Sequence, residues 1–467
     1  MVAPERRSAL LPGSVVKGSL RSDGSREKVE TADVTGRFSR ARKVVFAALI
    51  GLWAALPWVT ISGNPAVFID IERRRFYLFG ATFNAQDVWL AFFLLTGVGF
   101  ALFFATALLG RVWCGWACPQ TVFLDGVYRR VERWINGPRE VRIRRAASPD
   151  GFHKVWRIAA THGAYVAISF VIAHIVLSYF TSMPGLLVMV RGNPSAHPEA
   201  FAWAAAITGV LYFDLGYFRE QVCLAICPYG RLQSVLIDAD SLAIGYDAGR
   251  GEPRGKASDP NAGACVECKR CVVVCPTGID IRNGLQVDCI ACTACIDACD
   301  QVMDKLGRPR GLIRYASTRA LLGDVTRIVR PRMLIYCGLG LAGIVAATLA
   351  FRTHEAFEAN LLRLPGAPYV FDGGNVRDSF EVHVVNKTAE VHVYAISAEA
   401  DSSTAQFVLP IAALRLAPMS DQRVPLFVTE ATAQYQGDFA VRVHVTADGA
   451  TPAHVVSARF LGSKGGR

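Results

Sequence analysis

The sequence predicts a multi-domain membrane protein: a five-helix transmembrane α bundle, a cysteine-rich α+β insert between the fourth and fifth helices, and a C-terminal β-sandwich. Three observations predict it. Five apolar runs of about bilayer length lie between residues 44 and 350. Twelve of the 13 cysteines fall in three short regions at regular spacing. The C-terminal region alternates apolar and polar residues and contains no cysteine.

Composition narrows the class. The chain has 467 residues, 52% hydrophobic and only 19% charged, too apolar for a disordered or fully soluble polar chain. Its length suits about two to four domains. The formal charge of +11 is read as basic loops beside a membrane, so no nucleic-acid partner is expected. The clustered cysteines argue for metal ligands in a reducing compartment rather than a disulfide scaffold.

Residues 1–36 are polar and mixed in charge, and read as a disordered cytoplasmic tail. The basic cluster Arg37, Arg40, Arg42 and Lys43 precedes the first span, Val44–Ile61. It lies too far from the N-terminus, and lacks the cleavage site, to be a removable signal peptide. The second span is Val88–Leu109. The third is Ile158–Thr181, apolar except for His162 and His174. The fourth, Ala200–Phe218, is interrupted by Asp214, and the fifth is Met333–Ala350.

Lys and Arg set the orientation. The loop 111–156 holds Arg111, Arg129, Arg130, Arg133, Arg139, Arg142, Arg144, Arg145 and Lys154, whereas 182–199 holds only Arg191. The first loop is therefore expected in the cytoplasm, with the N-terminus and residues 214–332, and the C-terminal region outside it. Arg73, Arg74 and Arg75 oppose this rule in the outer loop 62–87, where Asp70, Glu72 and Asp87 partly offset them. The chain divides into the tail 1–36, four spans with the basic loop over 37–245, the insert 246–320, the fifth span within 321–351, and the sandwich 352–467. In the last, Ser379–Val385, Glu390–Ile396, Gln406–Leu409 and Phe439–Val445 alternate like strands of a sandwich of about a hundred residues.

The insert reads Cys265-x2-Cys268-x2-Cys271-x3-Cys275-Pro276, then Cys289-x2-Cys292-x2-Cys295-x3-Cys299. This is the spacing of bacterial two-cluster ferredoxins, in which the fourth cysteine of each run ligates the other cluster. The expected sets are Cys265, Cys268, Cys271 and Cys299 for one [4Fe–4S] cluster, and Cys289, Cys292, Cys295 and Cys275 for the second. Zinc also takes paired C-x2-C, but this repeat is more specific than zinc requires. Asp300 stands where a proline often follows the last cysteine, which leaves the ligands intact.

Two further motifs share the form C-x3-C-P: Cys114 to Pro119 after the second span, and Cys223 to Pro228 after the fourth. On a helix, positions i and i+4 share a face, so each pair is expected to present two thiols together at the same membrane side. Soft thiolates suit Cu(I), zinc or an iron–sulfur cluster, and a redox-active dithiol is equally open. Inert buried cysteines are the plain alternative, and the preferred one for the isolated Cys337. His153 is a candidate nitrogen ligand, although a solvated surface residue is the plainer reading. His162 and His174 read as polar groups at a helix interface, with a metal or quinone role as the alternative. Asp214 is either an acid with a function inside a span or the mark of its end.

The blocks Val112-Trp113-Cys114-Gly115-Trp116-Ala117-Cys118-Pro119-Gln120-Thr121 and Cys227-Pro228-Tyr229-Gly230-Arg231-Leu232-Gln233, with the insert and the sandwich, resemble the CcoG/FixG (RdxA/RdxB) family. These are accessory proteins of cytochrome c oxidase, associated with assembly of the cbb type. The resemblance covers roughly residues 40–467. It implies an immunoglobulin-like C-terminal domain in the periplasm, a bacterial inner-membrane location, and a cupric reductase that makes Cu(I) for the oxidase and its copper-delivery factors. The expected copper site is Cys114, Cys118, Cys223 and Cys227, with copper bound as substrate or in passing. Two other functions compete: an electron-transfer subunit of a quinol dehydrogenase, and a non-enzymatic assembly scaffold. The sequence names no electron donor.

Overall fold

The computed structural model describes residues 29–61, 64–71, 74–84, 88–352, 357–388, 390–418, 420–448 and 453–463. Most of the expected tail therefore lies outside the described residues, as do Glu72, Arg73 and Asp87. The chain forms two compact units, 1–68 with 92–346 and 69–91 with 347–467.

Among the described residues, five helices are long and apolar enough to cross a membrane: Arg37–Trp58, Phe92–Leu109, Phe152–Leu177, Pro198–Phe218 and Pro331–Leu349. Leu94, Leu95, Leu341 and Ile344 stand exposed on them, as lipid-facing side chains do. The first span begins earlier than its apolar run because its N-terminus is capped from the insert. Asp297 accepts the Ser39 N–H at 2.6 Å and the Ser39 hydroxyl at 2.7 Å. A carboxylate there answers the open N–H groups and the helix dipole.

The insert is closed by an antiparallel ladder of Ala243–Tyr246 with Ile313–Ala316. Its two cysteine runs repeat in backbone as well as sequence. Glu267 and Lys269 have φ of 54° and 53°, and the matching Ala291 and Thr293 have 54° and 65°. Each run thus curls around its own hollow through left-handed residues, a shape that turns successive N–H groups inward. Helices Arg270–Val273 and Ala294–Lys305 follow the two curls. Asp300, in the place of the missing proline, accepts the Gly311 N–H at 3.0 Å and ties this helix to the following loop.

Residues 29–36 correct the tail expectation. They lie extended on the insert: the Ala32 N–H donates to the Val273 carbonyl at 3.0 Å, and Arg142 and Arg270 donate to the carbonyls of Thr31 and Asp33. A short polar segment is ordered here by the arginines that reach its carbonyls and by the packing of Ala32 and Val34.

Among the described residues, the second unit contains a sandwich of nine strands: β1 Phe357–Arg363, β2 Val370–Asp372, β3 Asn375–Asn386, β4 His392–Ala400, β5 Gln406–Val408, β6 Ala413–Leu416, β7 Asp421–Ala431, β8 Phe439–Ala447 and β9 His454–Phe460. One sheet runs β5-β7-β3-β1 with β2 beside β3, the other β6-β4-β8-β9, all antiparallel. Alternate residues meet between the sheets, among them Phe380, Val382, Val384, Leu426, Val443 and Phe460, each 0% exposed.

Candidate metal centre

Neither C-x3-C-P pair sits on one continuous helix, which corrects the expectation of a shared helical face. The second span stops at Gly110, whose φ is +61°, and Cys114 lies on a separate short helix, Val112–Trp116. Cys118 is extended, and Pro119 starts the next helix. The other motif repeats this plan. The fourth span widens into a π-helix over Tyr212–Phe218, breaks at Arg219, and resumes as a second π-turn over Val222–Ile226, before Pro228 begins a helix. Proline suits the first helical position because its missing N–H would be unpaired there anyway.

These breaks bring the four thiols into one neighbourhood. The Cys223 thiol is pushed up to about 12, first by burial and then by the nearby thiols of Cys118, Cys114 and Cys227. Burial also raises the Cys114 thiol, against the opposing charge of Arg111, and the Cys118 thiol, whose sulfur accepts the N–H groups of Gln120 and Thr121. Among the described residues, no three His, Cys, Asp or Glu side chains are close enough to grip a single metal ion. The thiols cluster without closing on a point.

The insert's cysteines gather as two sets. Cys265, Cys268, Cys271 and Cys299 line a hollow of about 360 Å³, its open side included, and Cys275, Cys289, Cys292 and Cys295 line another of about 320 Å³, likewise with its open side, that Cys271 also borders. The last cysteine of each run has therefore crossed to the other set. Burial pushes the thiols of Cys271, Cys292 and Cys299 up to about 12 and that of Cys289 to about 11. These four thiols, when bare, hold their protons, and metal binding would displace them. Four cysteines around each apolar hollow, with N–H groups curled inward, fit a [4Fe–4S] cubane.

The loop that carries Cys114 and Cys118 touches the loop of the second set through backbone. A Cβ on Gly115 would fall 2.5 Å from the Ile290 carbonyl oxygen and 2.8 Å from the Ala291 carbonyl carbon, between Cys289 and Cys292. Only glycine permits that approach. Arg42 of the first span donates to the Gly115 carbonyl at 2.7 Å and to Asp125 at 2.7 Å, and Arg129 pairs with Asp125 at 2.6 Å. Burial disfavours the Asp125 carboxylate, yet Arg129 and Arg42 hold it below the usual carboxylate range. Arg129 also donates to Glu220 at 3.2 Å and to the Pro276 carbonyl at 3.0 Å, beside Cys275.

The remaining candidates stay apart from the thiols. His153 and Cys337 are exposed. His162 bonds the Tyr212 hydroxyl at 2.9 Å, and His174 bonds the Phe170 carbonyl of its own helix. Asp214 accepts from Gln120 at 2.9 Å, so it serves to tie the two motif regions together. Sequence reasoning assigned no role to Arg111, Gln233 or Gly115. The signal for the first two is their proximity to the motifs, three residues before Cys114 and six after Cys227.

Residues 218–318 match the family described as "4Fe-4S dicluster domain", and 90–139 the family described as "4Fe-4S binding domain". Residues 347–463 match an "IG-like fold at C-terminal of FixG". The chain is similar to nitrogen fixation protein FixG of Rhizobium meliloti, 34% identical over 86% of this chain and 83% of that one. It is 36% identical to protein RdxA of Cereibacter sphaeroides over 76% of this chain and 79% of that one. Ferredoxin-type protein NapH of Haemophilus influenzae is 28% identical over 45% of this chain and 67% of its own. With identity of this level along most of its length, and the cysteine sets in place, the chain belongs to the FixG/RdxA family and is a membrane iron–sulfur electron-transfer protein.

Proposed function

We propose that this protein is a cupric reductase of the bacterial inner membrane, converting Cu(II) to Cu(I) for assembly of a cbb-type cytochrome c oxidase. The observation that carries the reading is the gathering of Cys114, Cys118, Cys223 and Cys227 in one neighbourhood, with Gly115 of the first motif packed against the Ile290–Ala291 backbone of the second set. Cys265, Cys268, Cys271 and Cys299 hold one [4Fe–4S] cluster, and Cys289, Cys292, Cys295 and Cys275 the other. Bound there, the clusters supply single electrons. The chain's own contribution is position. Gly115 lets the C-x3-C-P loop touch the Ile290–Ala291 backbone, which keeps the transfer distance short. Thiolates prefer Cu(I) to Cu(II), so a site made of them favours the product of the reaction: Cu(II) takes one electron and becomes Cu(I). In this reading the insert faces the cytoplasm, the sandwich faces the periplasm, and the oxidase with its copper-delivery factors receives the metal.

The test uses full-length protein purified without oxygen, reduced, and freed of reductant. Added Cu(II) is followed with a Cu(I)-specific chelator while the cluster absorbance is recorded. The reading requires one Cu(I) for each electron lost from the clusters. Clusters that stay reduced in the presence of Cu(II) would exclude it.

One observation favours a second reading of the same thiols. The 4Fe-4S binding family covers 90–139, where Cys114 and Cys118 are the cysteines present. The open spacing of the thiols also suits a cubane better than one ion. In that case the four thiols hold a third cluster. Iron analysis separates the two readings: about eight irons per chain accompany two cubanes, and about twelve accompany three.

A further inference from the structure

We infer that a cavity between the third and fourth spans is a binding site for the headgroup of a lipid-soluble hydroquinone. The cavity encloses about 910 Å³, its open mouth included. Its walls carry Thr161, His162 and Tyr165 from the third span and Tyr217 from the fourth, and its floor carries Glu132 and Arg219.

Access is from the lipid side. Tyr217 is 61% exposed on a segment otherwise suited to a bilayer, so an apolar tail leaves the cavity into lipid rather than water. The interior is polar but compensated in charge. Arg219 and Glu132, both 3% exposed as side chains, pair at 3.0 Å, and Arg142 reaches the same carboxylate at 3.5 Å. A phosphate headgroup needs uncommitted positive charge, which these paired guanidinium groups do not offer. A neutral ring with a hydrogen-bonding group at each end needs donors and acceptors instead. His162, oriented by Tyr212 through Nδ1, keeps Nε2 for this purpose, and the buried Arg219 Nε has no acceptor among the described residues.

The backbone at the floor is strained. Arg219 has φ +56° and ψ −122°, between two π-helical segments. A residue with a side chain rarely adopts such a conformation, and both features concentrate at functional sites. The floor also adjoins the cysteine sites. Arg219 lies four residues before Cys223, and its neighbour Glu220 pairs with Arg129, which donates to the Pro276 carbonyl beside Cys275.

The chemistry balances. Oxidation of the hydroquinone to the quinone releases two electrons and two protons. The clusters that the two cysteine sets would hold could each take up one electron, and the two electrons would reduce two Cu(II) to two Cu(I). The protons leave to water by way of His162 and Glu132. The inference rests on the proposed copper reduction only for that last acceptor.

The test reads binding without copper. The full chain in lipid nanodiscs is titrated with 2-heptyl-4-hydroxyquinoline N-oxide, whose fluorescence is quenched on binding at quinone sites. The expected result is saturable quenching by one inhibitor per chain, reversed by decylubiquinol. His162→Ala, Thr161→Val and Gly216→Leu should each weaken it at least tenfold. The last fills the cavity from a position where even a Cβ would lie 3.2 Å from the Tyr165 ring. Leu341→Ala on the fifth span should not change it, and unaltered cluster absorbance shows that each variant is folded. No quenching by the wild type, wild-type quenching in all three cavity variants, or a co-purifying phospholipid that decylubiquinol does not displace would overturn the site. Inhibitor binding without Cu(I) formation would instead refute the copper reading alone.

Discussion

Arg111 donates from Nε to the Gln233 side-chain oxygen at 2.7 Å, across 122 residues of chain, and the same oxygen accepts the Cys114 thiol at 3.2 Å. Both side chains are buried. Arg111 also donates from a terminal nitrogen to the Val287 carbonyl, two residues before Cys289. One guanidinium thus links the two C-x3-C-P regions and the loop of the second cysteine set. The membrane thiols are held against the insert by this buried link and by the close approach of Gly115.

The first prediction follows from that approach. Gly115→Ala places a methyl group 2.5 Å from a backbone oxygen, so the two loops must separate. Overpacking of this kind costs about 1–3 kcal/mol. Electron paramagnetic resonance should show an altered signal from the second cluster and an unaltered first. Copper reduction by the pre-reduced protein should slow at least tenfold. Wild-type spectra and rates would show that the contact does not matter to transfer.

The crossed cysteine sets predict opposite lesions from neighbouring residues. Cys271→Ser should damage the cluster held with Cys265, Cys268 and Cys299, and Cys275→Ser the one held with Cys289, Cys292 and Cys295. Spectroscopy of the two variants should therefore lose different signals. Loss of the same signal in both would refute the pairing.

Asp125 sets a pH limit. Its folded pKa lies below the ordinary carboxylate value, so its pairing with Arg42 and Arg129 contributes fully above the unfolded pKa. The contribution is lost as pH falls through the folded value. Thermal stability in detergent should drop below about pH 4. Asp125→Asn should lower stability at pH 7 by on the order of 3 kcal/mol, since it removes the carboxylate shared by the buried Arg42 and Arg129 and leaves Arg129 only Glu220, and should flatten the acid dependence. An unchanged acid profile in the variant would assign the loss to other groups.

The basic loop 111–156 predicts the orientation. A reporter fused after Ser379 should be active only outside the cytoplasm, and one fused near Gly255 only inside. The reverse pattern would invert the arrangement of donor and acceptor sides.

Much of this architecture was legible because it rests on composition and spacing. A run such as Val88–Leu109 declares a span by apolarity alone. The crossed cysteine sets follow from ligand spacing, and the sandwich from alternation along strands such as Asn375–Asn386. What escaped depends on single backbone angles and long-range contacts. Nothing in residues 222–227 announces the π-turn or the extended Cys227 that ends it, so the i and i+4 spacing of Cys223 and Cys227 suggested a continuous helix where the chain is broken. The Arg111–Gln233 contact has no periodic signature. Residues 29–36 looked like tail because their partners, Arg142 and Arg270, lie over a hundred residues away.

The central claim is that Cys114, Cys118, Cys223 and Cys227 act as one site. The most direct measurement is Cu(I) yield from anaerobically reduced protein, compared among the wild type, Cys114→Ser, Cys223→Ser and the double variant, with insert cluster content recorded for each. Ligands of one site couple, so the double variant should lose little more than the worse single variant, and the insert clusters should remain intact in all. Wild-type copper reduction and copper binding in every variant would contradict the account and leave these four cysteines as inert residues of the membrane unit.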